Sequence, residues 1–458
     1  MLNILFINPP NKPFSSRGIL IEPIDTLTVA TYVKNLGYNV SFLDMDVKQL
    51  TSADLQTVMD NQKIDVGVII FDYHIPLHDE GSNQEIIQII NLFKKKKIVS
   101  IIGGKIATFF SEEQLKNWNA DFFIQKDMEP ILEQLLLKIK NKDSNIQDIA
   151  NIRYKIKDKF NHHSFQKVNI NLNEFPIPDR KLCDIQDYID VRTLLSSRGC
   201  SLKCTFCHVP GFWGNWKGKS ARHVVDEIQY LKQNFQAKKI LFLDDNAIAQ
   251  PQRMIEIAQL LIKEKIKIKL GCLGAMVNFH EDAMKYMYEA GFRWIHYGAE
   301  SGDSKQLKNM NKKIDQSKMM NVLQKTKEIG YRIRTSWILD MPDTTEKSLQ
   351  NTEDMLNLFP TEEIRLHFLT LRLGSFLHEK FPMHTKQFIH NPTQNVHLAN
   401  IDSIKIQESF ERIVENLLQK KYLLISNPDD FKNVEDLQKK SPGLHIASIC
   451  PLRYGLNW

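Results

Sequence analysis

The sequence predicts an α/β protein: an N-terminal doubly wound, Rossmann-like domain, then a partial (β/α)6 TIM-like barrel and a small, mostly helical C-terminal cap. Two observations lead to this prediction. Short apolar runs alternate with helical patterns twice along the chain, and a polar, irregular segment separates the two series. The chain has 458 residues, of which 42% are hydrophobic and 25% charged, so it is long enough for two or three globular domains.

The first series predicts five βα units of a parallel sheet. Predicted strands lie at 3–7, 39–43, 66–71, 98–102 and 122–124, with helices near 24–36, 52–61, 83–95, 111–117 and 128–140. Such a sheet binds ligands beyond the carboxyl ends of its strands, where the strand order reverses. Three loops of interest leave those ends: one at Pro9, one at Asp72 to His74, and one at Gly103 and Gly104. The two glycines would let a bulky ligand approach the backbone, or would simply form a tight turn.

The remaining boundaries follow from composition and spacing. We predict the doubly wound domain at 1–142, a proline-stiffened linker at 143–192, the barrel at 193–380 and a capping region at 381–458. Six strand patterns, each followed by a helical pattern, favour the barrel. One long amphipathic helix is expected at 402–420, within the cap.

Charge and hydropathy limit the functional classes. The formal net charge is +6, from 60 basic and 54 acidic residues, which describes a mixed surface and gives no reason to expect nucleic-acid binding. The sequence has no 18-residue apolar run, and its N-terminus lacks the basic region of a secretory signal. We therefore expect a cytoplasmic protein without membrane association, in which thiols stay reduced and free to hold metal.

Three of the six cysteines lie in one short stretch, "RGCSLKCTFCH", at Cys200, Cys204 and Cys207. A closed structural zinc site needs four ligands, usually as two pairs, and this chain has no second C-x-x-C. Three neighbouring thiolates suit instead a 4Fe-4S cluster in which the protein holds three irons and the fourth stays open to another ligand.

This C-x-x-x-C-x-x-C motif, with Phe206 before its last cysteine and a predicted strand at 193–197 before it, resembles the hallmark of radical S-adenosylmethionine (SAM) enzymes. The resemblance implies that the open iron chelates the amino and carboxylate groups of SAM. It also implies that one electron passed to the sulfonium yields a 5′-deoxyadenosyl radical. An unrelated zinc or chance cluster is the alternative.

The same resemblance assigns further residues to SAM. Asp244 and Asp245 end the second barrel strand, where relatives hold the methionine amino group, and Glu300 in "HYGAESGD" matches an acid that contacts SAM. Phe206 would pack over the cluster and adenine, and the backbone of His208 would bond the adenine. Because side chains alternate along a strand, only one of the two aspartates can face the lumen, and the sequence does not say which.

A doubly wound domain before such a barrel resembles the cobalamin-binding-domain branch of the same superfamily, over roughly residues 1–380. Pro9, His74, Gly103 and Gly104 are then the candidate cobalamin contacts. The D-x-H-x-x-G motif of many cobalamin proteins is absent after the first strand. After the third strand, Asp72 and His74 match the start of the motif, but the spacing to the next glycine differs. Since members of this branch bind cobalamin without the motif or keep the domain without cobalamin, the sequence leaves cobalamin binding open.

Three functions remain in consideration. The first is cobalamin-dependent methylation of an unactivated centre in a natural product or peptide. The second is a cobalamin-independent epimerisation, ring formation or rearrangement, with Cys450 as a hydrogen donor. The third is a non-catalytic cluster-binding or corrin-binding protein for electron transfer or sensing. The expected partners of the enzyme are a small-molecule or peptide substrate and an electron donor such as flavodoxin or ferredoxin.

Overall fold

The computed structural model describes residues 1–10, 21–71, 80–156, 159–161, 165–166, 168–358, 361–381, 399, 401–419 and 423–425. It divides into two compact units. The first comprises the described residues up to Ile189, and the second begins at Asp190.

The first unit is built on a six-stranded sheet. Its strands are β1 (Asn3–Asn8), β2 (Asn39–Asp44), β3 (Val66–Phe71), β4 (Val99–Gly104), β5 (Phe122–Gln125) and β6 (Ile152–Arg153). The order is β2-β1-β3-β4-β5-β6, parallel except that β6 runs antiparallel to β5. This confirms the predicted doubly wound topology, and it places the reversal of strand order at the carboxyl ends of β1 and β3.

Six helices flank this sheet: α1 (Ile24–Asn35), α2 (Ser52–Asn61), α3 (Glu80–Lys95), α4 (Lys105–Phe109), α5 (Glu112–Trp118) and α6 (Glu129–Asn141). The strands are near-continuous apolar runs because helices on both faces bury them; Ile4 to Ile7 are at most 1% exposed. Local sequence fixes several helix starts. Ser111 caps α5 by accepting from Gln114 N at 3.3 Å, and Thr51 and Asp54 form a capping box at α2.

The predicted linker packs on the first unit. It contains a short antiparallel ladder, β7 (Lys155–Ile156) with β8 (Lys159–Phe160), and three 3-10 turns within 172–187. We call residues 179–188 the strap. Asp179 N donates to Thr31 Oγ1 at 2.8 Å, and the Tyr188 hydroxyl donates to Asp44 Oδ2 at 2.7 Å, so both ends of the strap are fastened.

The second unit is built on seven parallel strands. They are β9 (Arg192–Leu194), β12 (Lys239–Phe242), β13 (Lys269–Gly274), β14 (Phe292–Glu300), β15 (Arg332–Ile338), β16 (Glu363–His367) and β17 (Leu423–Ile425). A separate ladder joins β10 (Ser197–Arg198) to β11 (Lys217–Gly218). The order is β17-β16-β15-β14-β13-β12-β9, and within the described residues β9 and β17 do not pair with each other. The sheet is therefore open, which confirms a partial barrel; β17 adds a seventh strand that the sequence did not predict.

Helices of the second unit pack against this sheet and against one another. They are α7 (Val209–Phe212), α8 (Ala221–Phe235), α9 (Pro251–Lys263), α10 (Glu281–Glu289), α11 (Ser304–Asn309), α12 (Gln316–Ile329), α13 (Glu346–Leu358), α14 (Phe376–Lys380) and α15 (Ser403–Gln419). The main core lies between helices and strands: Ile228 and Ile257 are fully buried with Phe242. Each such side chain contributes about 1.5–3 kcal/mol. No described helix has the length and hydropathy needed to cross a membrane.

Candidate active site

The carboxyl ends of the second unit's strands surround a cavity of about 210 Å³. Alternate residues of β14 line it, namely His296, Gly298 and Glu300. From the neighbouring strands, β15 contributes Ser336 and Ile338, and β16 contributes Arg365 and His367. On each of these three adjacent strands the lining residues are two positions apart, so their side chains point to the same, inner face of the sheet. They lie at the end of the barrel where functional residues of this architecture are found.

The cysteine-bearing loop, residues 199–208, connects β10 to α7 beside this cavity, and Phe206 lines the cavity. Gly199 begins the loop with φ +85°, and a Cβ there would lie 2.8 Å from the Asn215 carbonyl oxygen, so glycine is required. Two backbone bonds fasten the loop's middle: Thr205 N donates to Met310 O at 3.0 Å, and Leu377 N donates to Thr205 O at 2.9 Å. The loop is thus held from two separate parts of the chain.

Burial raises the pKa of the Cys200, Cys204 and Cys207 thiols, that of Cys207 to about 12. A metal that binds such thiols displaces their protons, so metal binding and thiolate formation are coupled. Asn246 lies against this group, with Nδ2 3.8 Å from Cys200 Sγ. Three thiols and an amide donor to sulfur are the chemistry of an iron-sulfur ligand set.

The described residues contain no three His, Cys, Asp or Glu side chains that converge on a single metal ion. A 4Fe-4S cluster does not need that convergence, because each cysteine binds a different iron atom. The donor set therefore fits a cluster by its chemistry.

The two adjacent aspartates at the end of β12 have different surroundings. Asp244 is fully buried; its Oδ1 accepts from Ser196 Oγ at 2.7 Å and from the Ser197 hydroxyl. Asp245 lines the cavity and its Oδ2 accepts from Gly199 N at 3.1 Å. Asp244 therefore fixes the chain ahead of the cysteine loop, and Asp245 is the carboxylate that faces the cavity.

Glu300 ends β14 in the left-handed region, with φ +70°, a conformation that costs energy for a non-glycine residue. The pairing of β14 with β15 shifts register between Gly298 and Glu300. Lys312 Nζ lies 3.4 Å from Glu300 Oε1 and donates to Gly298 O at 3.0 Å. A Cβ at Gly298 would overlap the Glu300 carboxylate, so this glycine makes room for the ion pair.

Lys312 is 8% exposed. Burial works against its charge, but Glu300 and Cys204 outweigh burial and raise the pKa of Lys312 above the usual lysine value. The site therefore contains a buried cation between a cavity carboxylate and the cysteine loop.

Two neutral imidazoles face the same cavity. Burial, with the nearby charges of Arg334 and Arg365, lowers the pKa of His296 well below its usual value. Burial, with Arg365 and Arg372, does the same to the pKa of His367. His296 Nε2 forms a 2.6 Å hydrogen bond with Ser336 Oγ, which fixes the orientation of the ring.

The remaining predicted site residues have varied placements. The His208 carbonyl accepts from Phe212 N at 3.0 Å, which closes the turn of α7. In the first unit, Pro9 is buried directly after β1. Gly104 has φ +99° and precedes α4, and a Cβ on Gly103 would overlap the Met128 side chain, so packing against Met128 already requires glycine at that position. His74 and Cys450 lie outside the described residues.

Sequence reasoning missed several residues of this site: Lys312, Asn246, His296, Arg365, His367 and Arg372. A signal was present for the strand residues. The run "EIRLH" carries polar side chains at alternate positions of an otherwise apolar strand, which indicates a polar lumen. Lys312 gave no signal, because a lysine in "NKK" has the pattern of a solvated surface residue.

Comparison with known proteins identifies the second unit. Residues 194–356 match the family model described as the Radical SAM superfamily. The second unit therefore contains a radical SAM domain. The chain is 24% identical over 361 residues to an uncharacterised methyltransferase of Pyrococcus horikoshii, and the match covers 77% of each sequence.

Two solved structures share the fold of this chain. The cobalamin-dependent SAM radical enzyme OxsB, with aqua-cobalamin and SAM bound, superposes with a TM-score of 0.75 at 16% identity, covering 96% of this chain and 71% of that one. The radical SAM methyltransferase TsrM from Kitasatospora setae, with cobalamin and a [4Fe-4S] cluster, gives 0.72 at 13% identity, covering 84% and 78%. At these identities the likeness concerns the fold, and it confirms the predicted combination of a doubly wound domain and a radical SAM barrel.

Proposed function

We propose that this radical SAM enzyme methylates an unactivated centre of a small molecule or peptide, with cobalamin as a second cofactor. The observation that supports the radical step most directly is the three-cysteine loop, whose cysteines are half-buried, beside a cavity that Asp245 and Glu300 line. The support for methylation is the methyltransferase name of the Pyrococcus relative and the fold shared with OxsB and TsrM.

Cys200, Cys204 and Cys207 would hold the cluster, leaving one iron for SAM. The cluster, when bound, supplies one electron that cleaves SAM to methionine and a 5′-deoxyadenosyl radical. Asp245 and Glu300 line the cavity and would bind the polar groups of SAM, and the contact with Lys312 would hold the Glu300 carboxylate in position. Phe206 lines the cavity and would exclude water from the adenine.

Asp244 enters this proposal in a positioning role. Its carboxylate already accepts from both serines that precede the cysteine loop, so Asp245 is the better candidate for contact with SAM. His208 can still offer backbone groups to the adenine, as the resemblance implies.

Cobalamin would bind at the carboxyl ends of β1, β3 and β4 in the first unit, where a doubly wound sheet takes its ligand. When bound, it supplies the methyl group. Pro9 and Gly104 are the described candidates for contact with the corrin, and His74 is a further one. Gly103 is a weaker candidate because Met128 occupies the space beside it.

The test is anaerobic purification, reconstitution with iron and sulfide, and addition of hydroxocobalamin, SAM and a low-potential reductant. We expect the broad absorbance of a 4Fe-4S cluster, a retained corrin spectrum after gel filtration, and 5′-deoxyadenosine by mass spectrometry. Replacing any one of Cys200, Cys204 and Cys207 with Ala should abolish both the cluster and 5′-deoxyadenosine.

Each negative result has a distinct meaning. A tetrahedral zinc and no 5′-deoxyadenosine would overturn the enzymatic proposal. A cluster with 5′-deoxyadenosine but no retained corrin would overturn methylation through cobalamin and leave a cobalamin-independent radical reaction. In that case Cys450→Ala would test the hydrogen-donor role predicted for that thiol.

A further inference from the structure

Three consecutive residues after β12 each contact a different part of the cysteine-bearing loop or of the chain just ahead of it. Asp244 accepts from the serine hydroxyls that precede the loop, and Asp245 accepts from Gly199 N. The third residue, Asn246, is 1% exposed and contacts Cys200, the first cysteine of the loop. Asn246 therefore differs from the two aspartates, because its partner is one of the sulfur atoms that would hold the cluster.

The hydrogen bonds of the Asn246 amide fix its orientation. Ala275 N donates to Asn246 Oδ1 at 3.1 Å, and because a backbone N–H needs an acceptor, the amide oxygen lies on the side of Ala275. The amide nitrogen then faces Asn278 Oδ1 at 2.8 Å and Cys200 Sγ at 3.8 Å. An amide NH2 group has two hydrogens, so Nδ2 has one donor for each of these two acceptors.

The Asn246 side chain does not stabilise the backbone turn that follows it. Asparagine is a favoured capping residue at the start of a helical turn, and Asn246 directly precedes a 3-10 turn at Ala247–Ala249. Its side chain makes no capping hydrogen bond to that turn. The amide instead joins the loop after β13 to the cysteine-bearing loop, which indicates a role at the cluster.

The three cysteines of the loop differ in their side-chain contacts. Cys200 Sγ accepts from Asn246, whereas no side chain in the described part of the protein donates to Sγ of Cys204 or Cys207. Hydrogen bonds to the ligating sulfurs are among the factors that set the reduction potential of an iron-sulfur cluster. Because reduction adds a negative charge, a donor at sulfur stabilises the reduced cluster more than the oxidised one. Such a donor therefore makes the potential less negative.

We propose that Asn246 is a positioning residue of the cluster, which donates a hydrogen bond to the Cys200 thiolate and makes the cluster easier to reduce. This inference rests on the proposed radical SAM function and extends it to a residue that adjusts the potential at which the cluster accepts its electron. Ala275 and Asn278 hold the amide in place, so the donor is already oriented before the electron arrives.

The test is a redox titration of the reconstituted protein without SAM, in which electron paramagnetic resonance measures the reduced cluster. Asn246→Leu keeps the branched shape of the side chain and removes both amide hydrogens. We expect it to shift the equilibrium of reduction about tenfold toward the oxidised cluster, which corresponds to about 59 mV to more negative potential for a one-electron couple. Asn246→Asp keeps the acceptor for Ala275 N but places a carboxylate beside the sulfur, so it should shift the potential further in the same direction.

The matched control is Asn234→Leu, which makes the same chemical change at an exposed asparagine of α8. Asn234 Nδ2 donates to Tyr230 O at 3.0 Å, within its own helix. The potential of this control should equal that of the wild type. Iron and sulfide content, measured in every variant, ensures that the titration compares complete clusters.

Three results would overturn the inference: an unchanged potential in Asn246→Leu, an equal shift in Asn234→Leu, or a less negative potential in Asn246→Asp. An unchanged potential with a tenfold loss of SAM affinity in Asn246→Leu would assign the amide to SAM instead. If Asn246→Leu assembles no cluster, Asn246→Asp decides by the same titration, and loss of the cluster from both would assign Asn246 to assembly and overturn its effect on the potential. Failure of the proposed function is separate, since it appears in the wild type alone, as zinc in place of the cluster or as absence of 5′-deoxyadenosine.

Discussion

At the scale of single residues, Lys312 is a buried cation that pairs with the Glu300 carboxylate. Its ammonium lies 3.4 Å from Glu300 Oε1, and Cys204 and Cys207 contribute to the raised pKa of this lysine. Removing one partner of a buried ion pair is strongly destabilising, because it leaves an uncompensated charge.

We therefore expect Lys312→Met to weaken SAM binding by about tenfold and to make the cluster harder to reduce. A loss of about 1.4 kcal/mol of stabilisation of the reduced state corresponds to a shift of about 59 mV to more negative potential for a one-electron couple. Electron paramagnetic resonance during a redox titration measures the shift. Lys313→Met is the matched control, because that neighbouring lysine is exposed; an equal shift in both variants would contradict the role of Lys312.

The two cavity histidines make a prediction about pH. His296 and His367 have pKa values well below the usual 6.5, His296 through burial and the surrounding Arg334, Arg365 and His367. In the unfolded chain both bind protons below about pH 6.5, so the unfolded state binds more protons than the folded state there. Stability should fall as pH falls below 6.5, by at most about 1.4 kcal/mol per pH unit for each histidine.

NMR of histidine ring protons would test this, with assignment by His296→Gln and His367→Gln. Both rings should keep the shifts of neutral imidazole at pH 5.5. The variant His280→Asn provides a reference, because it replaces an exposed histidine and keeps a side chain able to cap α10. Protonation of His296 between pH 6 and 7 would contradict the prediction.

At the scale of elements, the strap is the clearest case of tertiary contacts fixing a segment that has little regular structure. Tyr188 donates to Asp44 Oδ2 at 2.7 Å, Asn8 Nδ2 donates to Oδ1 of the same carboxylate at 2.9 Å, and Val47 N donates to it at 3.0 Å. Burial raises the pKa of Asp44, and these hydrogen bonds offset part of that effect. The strap thus satisfies a carboxylate buried at the end of β2.

Tyr188→Phe should destabilise the first unit by about 1.5–3 kcal/mol, the usual worth of a hydrogen bond to a charged group. Hydrogen exchange of amides in β1 and β2 measures this loss locally, whereas a thermal or denaturant unfolding curve would combine the unfolding of both units. Tyr286→Phe removes an exposed hydroxyl and should stay within about 0.5 kcal/mol. Unchanged exchange in Tyr188→Phe would mean that the strap does not stabilise the sheet.

The elements differ in how far sequence alone could predict them. β1 to β5 and their long helices follow the predicted bounds within a few residues, because each buries a continuous or periodic apolar pattern. By contrast, α4 has five residues and β17 has three, so neither is long enough to show a helical or strand periodicity in its apolar residues. The register shift at Glu300 could not be predicted either, because the residue that pairs with Glu300 is Lys312, which follows α11 and has no distinctive sequence pattern. The cysteine triad was predictable because its spacing alone carries the chemistry.

At the scale of the whole molecule, the proposed function assigns SAM and cobalamin to different units. All three cysteines of the loop, with Asp245, Glu300 and Lys312, belong to the second unit, and the strand-order reversal after β1 and β3 belongs to the first. A ligand that binds only the native state stabilises the region that it binds. SAM and cobalamin should therefore protect separate parts of the chain.

Hydrogen-exchange mass spectrometry under anaerobic conditions tests this division. SAM added to the reconstituted protein should slow exchange in peptides that contain Phe206 and Glu300, because their backbone borders the cavity. Hydroxocobalamin added to the cluster-free protein should slow exchange at the amides of Asn8 and Gly104, the last residues of β1 and β4. Replacing Cys204 with Ala should remove the first effect and preserve the second, since it abolishes only the cluster ligand. Protection of the cavity peptides by cobalamin, or of neither region, would contradict a corrin site on the doubly wound sheet while leaving the radical SAM chemistry intact.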